Sequence, residues 1–315
     1  MNRGKVVIVG AGMVGTSIAY SIINQSICEE IVIIDINENK AIGESLDMMH
    51  AMEFMNYKTI VRSGNYNECK DADIVIITAS VPMNSGLASR MELLEKNKNI
   101  MASIVNSVMN SGFNGIFLVV SNPVDIMTYY VYKLSGLPKE KVIGSGTTLD
   151  SARLHYYIAK TVDVSPSSVY AFVIGEHGDS EMIAWSTATI GGKDAHNVFK
   201  DNVSRIGKDP YNHFLELVKN AGWDVFTRKG NTSYGIAASV TGIIKSILYD
   251  ENKVFPVSVY LDGEYNEKDV YISVPTIISK AGAKEIVELH LAEDEKIKFK
   301  NSCNILKEKC KEFLY

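Results

Sequence analysis

Val6-Val7-Ile8-Val9-Gly10-Ala11-Gly12-Met13-Val14-Gly15 stands almost at the start of the chain. Four β-branched residues in a row suit a strand covered on both faces, and a G-x-G-x-x-G run follows without a gap. A strand-to-helix turn over a pyrophosphate needs glycines at these positions. Gly10 permits the tight turn, Gly12 lets backbone N–H groups approach the anion, and Gly15 lets the helix pack closely on the strand. The helix, starting at Met13 and Val14, would then aim its free N–H groups and the positive end of its dipole at that charge.

A glycine run alone is a weak signal, since glycine-rich turns are common. The second apolar run, 31–34, strengthens it by ending in Asp35, 20 positions after Gly15. A carboxylate there can accept hydrogen bonds from a ribose hydroxyl pair. It would also repel an added ribose phosphate, and Ile36 brings no cation to offset that. The expected cofactor is therefore NAD rather than NADP.

Further out, apolar runs at 6–9, 31–34, 74–77 and 116–120 alternate with helical patterns at 13–26, 38–54 and 90–110. This rhythm predicts an α/β fold with a doubly wound parallel sheet, whose ligands gather at the carboxyl edge of the strands. Past residue 145 the pattern changes to a helix at 149–161, a strand at 169–174, strands near 257–261 and 270–274, and a helix from about 293. We read residues 1–144 as a dinucleotide-binding domain and 145–315 as an α+β substrate domain, with a tight boundary near 144–147.

Composition narrows the classes of function. Of 315 residues, 46% are hydrophobic and 22% charged, which suits a globular protein with ample core. A net charge of −5 offers no basic stripe for nucleic acid, and no apolar run approaches the ~20 residues that span a bilayer. The run 6–9 is too short for a signal-peptide core. Cys28, Cys69, Cys303 and Cys310 form no CxxC pair, and the last two fall at helical spacing with Phe299, Leu306 and Phe313. A cytoplasmic protein with buried thiols is expected. His50, His196, His213 and His290 show no metal-ligand spacing, and no metal is expected.

Two short segments carry chemistry. In Leu149-Asp150-Ser151-Ala152-Arg153, the acid and the arginine fall three apart on one helix face. In Gly175-Glu176-His177-Gly178-Asp179, a histidine stands between acids and beside glycines. Taken singly, these could be a surface ion pair and a loop histidine. Together with Asn122-Pro123-Val124-Asp125 and Lys229-Gly230-Asn231-Thr232-Ser233-Tyr234, and in this order, they resemble the lactate/malate dehydrogenase family over nearly the whole chain.

The resemblance implies a Rossmann-type cofactor domain and NAD-linked conversion of a small L-2-hydroxy acid, lactate foremost, to its 2-oxo acid. It implies that His177 exchanges the proton, Asp150 orients the imidazole, Arg153 grips the substrate carboxylate and Arg90 polarises the ketone. Asn122 would hydrogen-bond at the centre, Thr232 would line the substrate space, and Ile236 would wall the nicotinamide. The chemistry favours these residue types independently. A histidine with a carboxylate partner can hold a proton near neutral pH, and the planar fork of arginine makes two parallel bonds to a carboxylate. The chain has six arginines, and two of them fall at these positions.

In this family one loop position sets the substrate, with arginine in malate enzymes and glutamine in typical lactate enzymes. Counting forward from Thr78 gives Met83, and counting back from Arg90 gives Asn84; neither is cationic. A buried dicarboxylate would lack its counter-charge, which weighs against malate. Methionine would also accept a longer apolar tail, and Thr232-Ser233-Tyr234-Gly235 resembles the L-2-hydroxyisocaproate enzymes. A larger apolar 2-oxo acid is thus the close alternative, and an NAD-binding protein without chemistry a distant one. The resemblance further implies a homodimer or homotetramer. Where many bacterial relatives bind fructose 1,6-bisphosphate through an arginine and a histidine, the matching positions look like His155 and Tyr170, so weak or no activation is expected, with His155 a surface histidine.

Overall fold

The computed structural model describes residues 4–81 and 90–314, with the side chains of 90–94 and 314 left aside. The β-branched runs form the strands they predict. β1 (Lys5–Val9), β2 (Glu30–Ile34), β3 (Ile60–Ser63), β4 (Ile74–Ile77), β5 (Ile116–Val119) and β6 (Val142–Gly144) pair in parallel in the order β3-β2-β1-β4-β5-β6. β1, β4 and β5 are buried along their whole length, as strands covered on both faces must be. The connecting helices include α1 (Met13–Asn24), α2 (Glu38–His50), α3 (Arg90–Asn110) and α4 (Val124–Ser135). The expected 38–54 helix tightens into a 3-10 turn at Ala51–Phe54, and β3, β6 and α4 add to the elements read from sequence. The strand order reverses between β1 and β4, and the crevice at such a reversal is where dinucleotides bind.

The second half begins with α5 (Thr148–Val162). The expected strand at 169–174 is broken into β7 (Val169–Tyr170) and β8 (Val173–Ile174). The two belong to different small sheets, β8 pairing with β9 (Met182–Ile183) and β7 with β10 (Thr189–Ile190), which also pairs with β11 (Lys193–Asp194). Four helices follow: α6 (Ala195–Asp201), α7 (Val203–Ile206), α8 (Pro210–Lys229) and α9 (Tyr234–Tyr249). The long antiparallel strands β12 (Lys253–Asp262), β13 (Lys268–Ser279) and β14 (Gly282–Ile286) lead into the closing helix α10 (Glu293–Leu314).

β12 pairs with β6 through Ser258 and Gly144, so the antiparallel strands extend the parallel sheet into one nine-stranded sheet among the described residues. Two apolar clusters follow from this layout. One surrounds that sheet from Val6 to Phe313, and the other, built on Leu154, Ile158, Phe199 and Phe214, lies within the second half of the chain. Cys303 and Cys310 are buried on α10 as free thiols. No described helix is long and apolar enough to cross a membrane.

Candidate active site

Gly10 takes φ +114°, a conformation that side chains disfavour, and its N–H bonds to the Ile34 carbonyl at 2.8 Å. Gly12 forms the N-cap of α1, where no side chain caps the helix, and a Cβ on it would meet nothing within 4 Å. That side of the turn is open, as a pyrophosphate approaching uncapped N–H groups requires. A Cβ on Gly15 would stand 2.0 Å from the Gly10 carbonyl oxygen, so the helix can pass the turn only as glycine. Met13 is exposed and Val14 half-buried at the head of α1.

Asp35 follows β2 and ties the two strand ends together: its carboxylate accepts from the Ala11 N–H at 2.6 Å and the Asn37 N–H at 2.8 Å. A carboxylate has about four lone-pair directions, so it retains capacity for ribose hydroxyls. Ile36 beside it is fully exposed and brings no charge. Tyr249, at the end of α9, donates to the carbonyl of Ser26, just past the end of α1. The C-terminal ends of the two helices therefore meet, and Ile236 in the first turn of α9 is half-buried and packs, like Val14 of α1, against the large apolar cluster. Asn122 is exposed between β5 and α4. The glycine turn, Asp35, Thr78 and Asn122 thus all lie past the carboxyl ends of parallel strands, and these residues fit an NAD-type dinucleotide.

The second group assembles at the N-terminal turn of α5. Asp150 is buried and divides its two oxygens. Oδ1 accepts from the Arg153 guanidinium at 2.8 Å, and Oδ2 accepts from Nδ1–H of His177 at 2.6 Å. The three-residue helical spacing expected for Asp150 and Arg153 is realised as a direct ion pair. His177 is 29% exposed in its side chain, so the far edge of the ring is reachable.

The loop that carries the histidine is fixed from three sides. Gly175 exchanges both backbone hydrogen bonds with Ser273 of β13, at 3.0 and 3.1 Å. The His177 N–H donates to buried Asp125 of α4 at 2.8 Å. The Glu176 N–H donates to the Ser302 hydroxyl of α10 at 2.8 Å, and its carboxylate accepts from Ser180 and from Lys309 of α10. Asp125, within the quoted Asn-Pro-Val-Asp run, was given no role by sequence reading. Ser302 and Lys309 were not singled out at all. Helical spacing on α10 shows only that a polar residue repeats, not what it faces.

Electrostatics organises the same groups. Burial alone would pull the His177 imidazole down, but the Asp150 charge and hydrogen bond outweigh it, helped by Asp125 and Glu181, and raise it to about 9. Burial resists ionisation of Asp150, yet His177 and Arg153 hold its carboxyl below the ordinary range. Burial lifts Asp125 to about 6 despite the His177 N–H that it accepts. A half-buried imidazole thus leans toward its charged form against a buried carboxylate that leans toward its own.

A cavity of about 370 Å³ opens beside Arg153 between α5 and α8, lined by Leu149, Tyr156, Ala221, Val225 and Arg228 among others. Thr232 is half-buried in the turn joining α8 to α9. Among the described residues, no hydrogen bond or ion pair joins Asn122, Thr232 or Ile236 to the Asp150–His177–Arg153 group. Met83 lies outside the described residues, as does the side chain of Arg90, whose backbone opens α3. His155 departs from the surface histidine expected. It is half-buried, its Nε2 lies 2.7 Å from the Ala171 carbonyl oxygen, and burial pulls it below the usual histidine range.

Comparison with known proteins agrees in both halves. Residues 4–144 match the lactate/malate dehydrogenase NAD binding domain, and residues 147–314 match the lactate/malate dehydrogenase alpha/beta C-terminal domain. The chain is 50% identical over 310 residues to L-lactate dehydrogenase 2 of Bacillus cereus, covering 98% of each sequence. It is 48% identical over 311 residues to L-lactate dehydrogenase 3 of Bacillus anthracis, covering 99% of this chain and 98% of the relative. Among solved structures, the ligand-bound minor L-lactate dehydrogenase of Enterococcus mundtii superposes with a TM-score of 0.95 at 45% identity, covering 99% of each chain. A lactate dehydrogenase from a Medee basin deep-sea metagenome library superposes with a TM-score of 0.96 at 41% identity, covering 100% of each chain.

Proposed function

Because the chain belongs to the lactate/malate dehydrogenase family, we propose that it is an NAD-dependent L-lactate dehydrogenase, interconverting lactate and pyruvate. The observation that carries the reading is the Asp150–His177 contact beside Arg153. When bound, the nicotinamide supplies or accepts the hydride. The protein's own groups then handle the proton and the anion. His177 holds a proton on the outer edge of its ring and gives it to the carbonyl oxygen as the hydride arrives. Asp150 fixes the tautomer through Nδ1 and stabilises the imidazolium. Arg153 spends one nitrogen on Asp150 and has others to offer a substrate carboxylate as a fork.

Arg90 is proposed to polarise the carbonyl, Asn122 to hydrogen-bond at the centre, and Ile236 to wall the nicotinamide. Gly10, Gly12, Gly15, Met13, Val14 and Asp35 hold the dinucleotide. Residues 1–144 thus supply most of the cofactor site together with Met83, Arg90 and Asn122 for the substrate, and 145–315 supply the Asp150–Arg153–His177 group, Thr232 and the Ile236 wall. Met83 and Thr232 are proposed to line the side-chain end of the substrate. The uncharged Met83 favours pyruvate or a larger apolar 2-oxo acid over oxaloacetate.

The assembly proposed is a cytoplasmic homotetramer or homodimer. Tyr20, Ile42 and Leu46 on α1 and α2 support it, being large apolar residues left exposed on a single chain. The engaged, neutral-leaning His155 supports weak or absent activation by fructose 1,6-bisphosphate.

The test is a panel of pyruvate, 2-oxobutyrate, 4-methyl-2-oxopentanoate and oxaloacetate, with NADH oxidation followed by absorbance. Highest kcat/KM for pyruvate is expected. A strong preference for oxaloacetate, or no oxidation at all, overturns the reading.

A further inference from the structure

Glu181 lies four residues past His177, just before β9, and is only 5% exposed. Its N–H donates to the Gly178 carbonyl at 3.2 Å and closes the turn that follows the histidine. A carboxylate oxygen of Glu181, a carboxylate oxygen of Asp150 and a ring nitrogen of His177 all lie within 4.8 Å of one another. Glu176, on the same loop, has Ser180 and Lys309 as partners. Among the described residues, the Glu181 carboxyl makes no hydrogen bond or ion pair of its own. A buried carboxyl without a partner is costly when ionised and so favours its neutral form.

The charges around it come from several elements. α5 presents Asp150 and Arg153, and the loop presents His177. α4 presents Asp125 behind the turn. α8 brings Lys219, which donates to the Asp179 carbonyl at 2.6 Å. Glu176 nearby is matched by Lys309 of α10. Burial first, and then Asp150, push the Glu181 carboxyl upward, while His177, Lys219 and Arg153 oppose that push without cancelling it. Glu181 in turn contributes to the raised value of His177.

We propose that Glu181 is a positioning residue for the proton and the substrate anion: its carboxyl is neutral while a carboxylate substrate is taken up, and its ionisation in alkali weakens that uptake while holding the proton on His177. With Glu181 neutral, Asp150, His177 and Arg153 together carry one net positive charge, which attracts a monocarboxylate. With Glu181 ionised, the four groups are balanced and the attraction falls. This deepens the dehydrogenase reading and rests on it.

The experiment compares the wild type with Glu181→Gln, which keeps the shape and removes the charge. One readout needs no turnover, namely the NMR titration midpoint of labelled His177 in the enzyme–NADH complex. It is expected to fall by about half a pH unit or more in the variant. The second readout is KM and kcat for pyruvate against pH. Wild-type KM is expected to climb by about threefold or more before kcat begins to fall, and the variant should lack that separate rise. An unchanged His177 midpoint together with parallel KM profiles overturns the proposal.

If the variant does not fold, proton uptake is measured as oxamate binds the wild-type enzyme–NADH complex in weak buffer. Uptake peaking below the His177 midpoint supports the proposal, and no uptake there overturns it. Failure of the wild type to reduce pyruvate would sink the dehydrogenase reading instead, while the His177 midpoint still tests Glu181.

Discussion

Asp150 and His177, 27 residues apart in sequence, meet at 2.6 Å between Oδ2 and Nδ1. The contact shifts both groups toward charge. The His177 imidazole is raised from its ordinary 6.5 to about 9, so its share of stability is full below 6.5 and is lost as pH rises through about 9. The Asp150 carboxyl is depressed, so its share is present above the ordinary aspartate value and is lost only as pH falls through the lowered one. The pair is therefore strongest between those limits. In the proposed mechanism, pyruvate reduction uses the imidazolium and lactate oxidation the neutral ring. We expect kcat/KM for pyruvate to fall, and that for lactate to rise, around pH 9 in the free enzyme. In Asp150→Asn, burial acts on His177 with its main opponent gone, and both limbs should move to lower pH. Reduction near neutral pH should drop about 10²–10⁴-fold. Steady-state kinetics across pH checks this, and an Asp150→Asn profile that overlays the wild type would contradict it.

Gly15→Ala tests the turn. The added methyl would lie 2.0 Å from the Gly10 carbonyl oxygen, and backbone cannot yield as a flexible side chain can. A stability loss of about 1–3 kcal/mol is expected from such overpacking, with weaker NADH binding. Thermal unfolding and a fluorescence titration with NADH measure the two. Binding as tight as wild type would mean that the pyrophosphate does not sit on this turn.

Asp35→Ser removes the charge proposed to face the ribose while keeping a small acceptor for the Ala11 and Asn37 N–H groups. The preference for NADH over NADPH should narrow about tenfold or more. The ratio of kcat/KM values for the two cofactors is the measurement, and an unchanged ratio would remove Asp35 from cofactor selection.

Met83→Arg supplies a cation at the position proposed to face the substrate's side chain. Oxaloacetate carries a second carboxylate and should gain about tenfold or more in kcat/KM, while pyruvate loses. No gain in Met83→Arg, but a gain in Asn84→Arg, would shift the specificity position by one residue.

The parts of this site that were legible in the sequence are those specified by neighbours. Gly10, Gly12 and Gly15 act within one turn, and Asp150 and Arg153 within one turn of helix, so spacing alone constrains their geometry. The runs that became β1, β2, β4 and β5 were legible because burial on both faces demands unbroken apolar sequence. β6 was not, because three residues carry no periodicity. Nor was the split of 169–174, where the chain turns from one small sheet to another between Tyr170 and Val173. His155 read as a surface residue because helical position does not reveal that Ala171 of a later strand region approaches its ring. Glu176, Ser302 and Lys309 meet across more than a hundred residues, and no local pattern encodes such a meeting. Glu181 belongs with them, since an acid four residues past a histidine reads as ordinary loop polarity until its burial is seen.

The pairing of Ser258 with Gly144 has a mechanical consequence. Backbone bonds run unbroken from the floor beneath the cofactor crevice to the strands that brace the histidine loop through Ser273. The two halves therefore share one sheet, with the Ser258–Gly144 pair at the seam, and the cofactor crevice and the histidine loop are braced by the same run of strands. Amide exchange should be slowest along the middle strands of that sheet whether or not the crevice is filled.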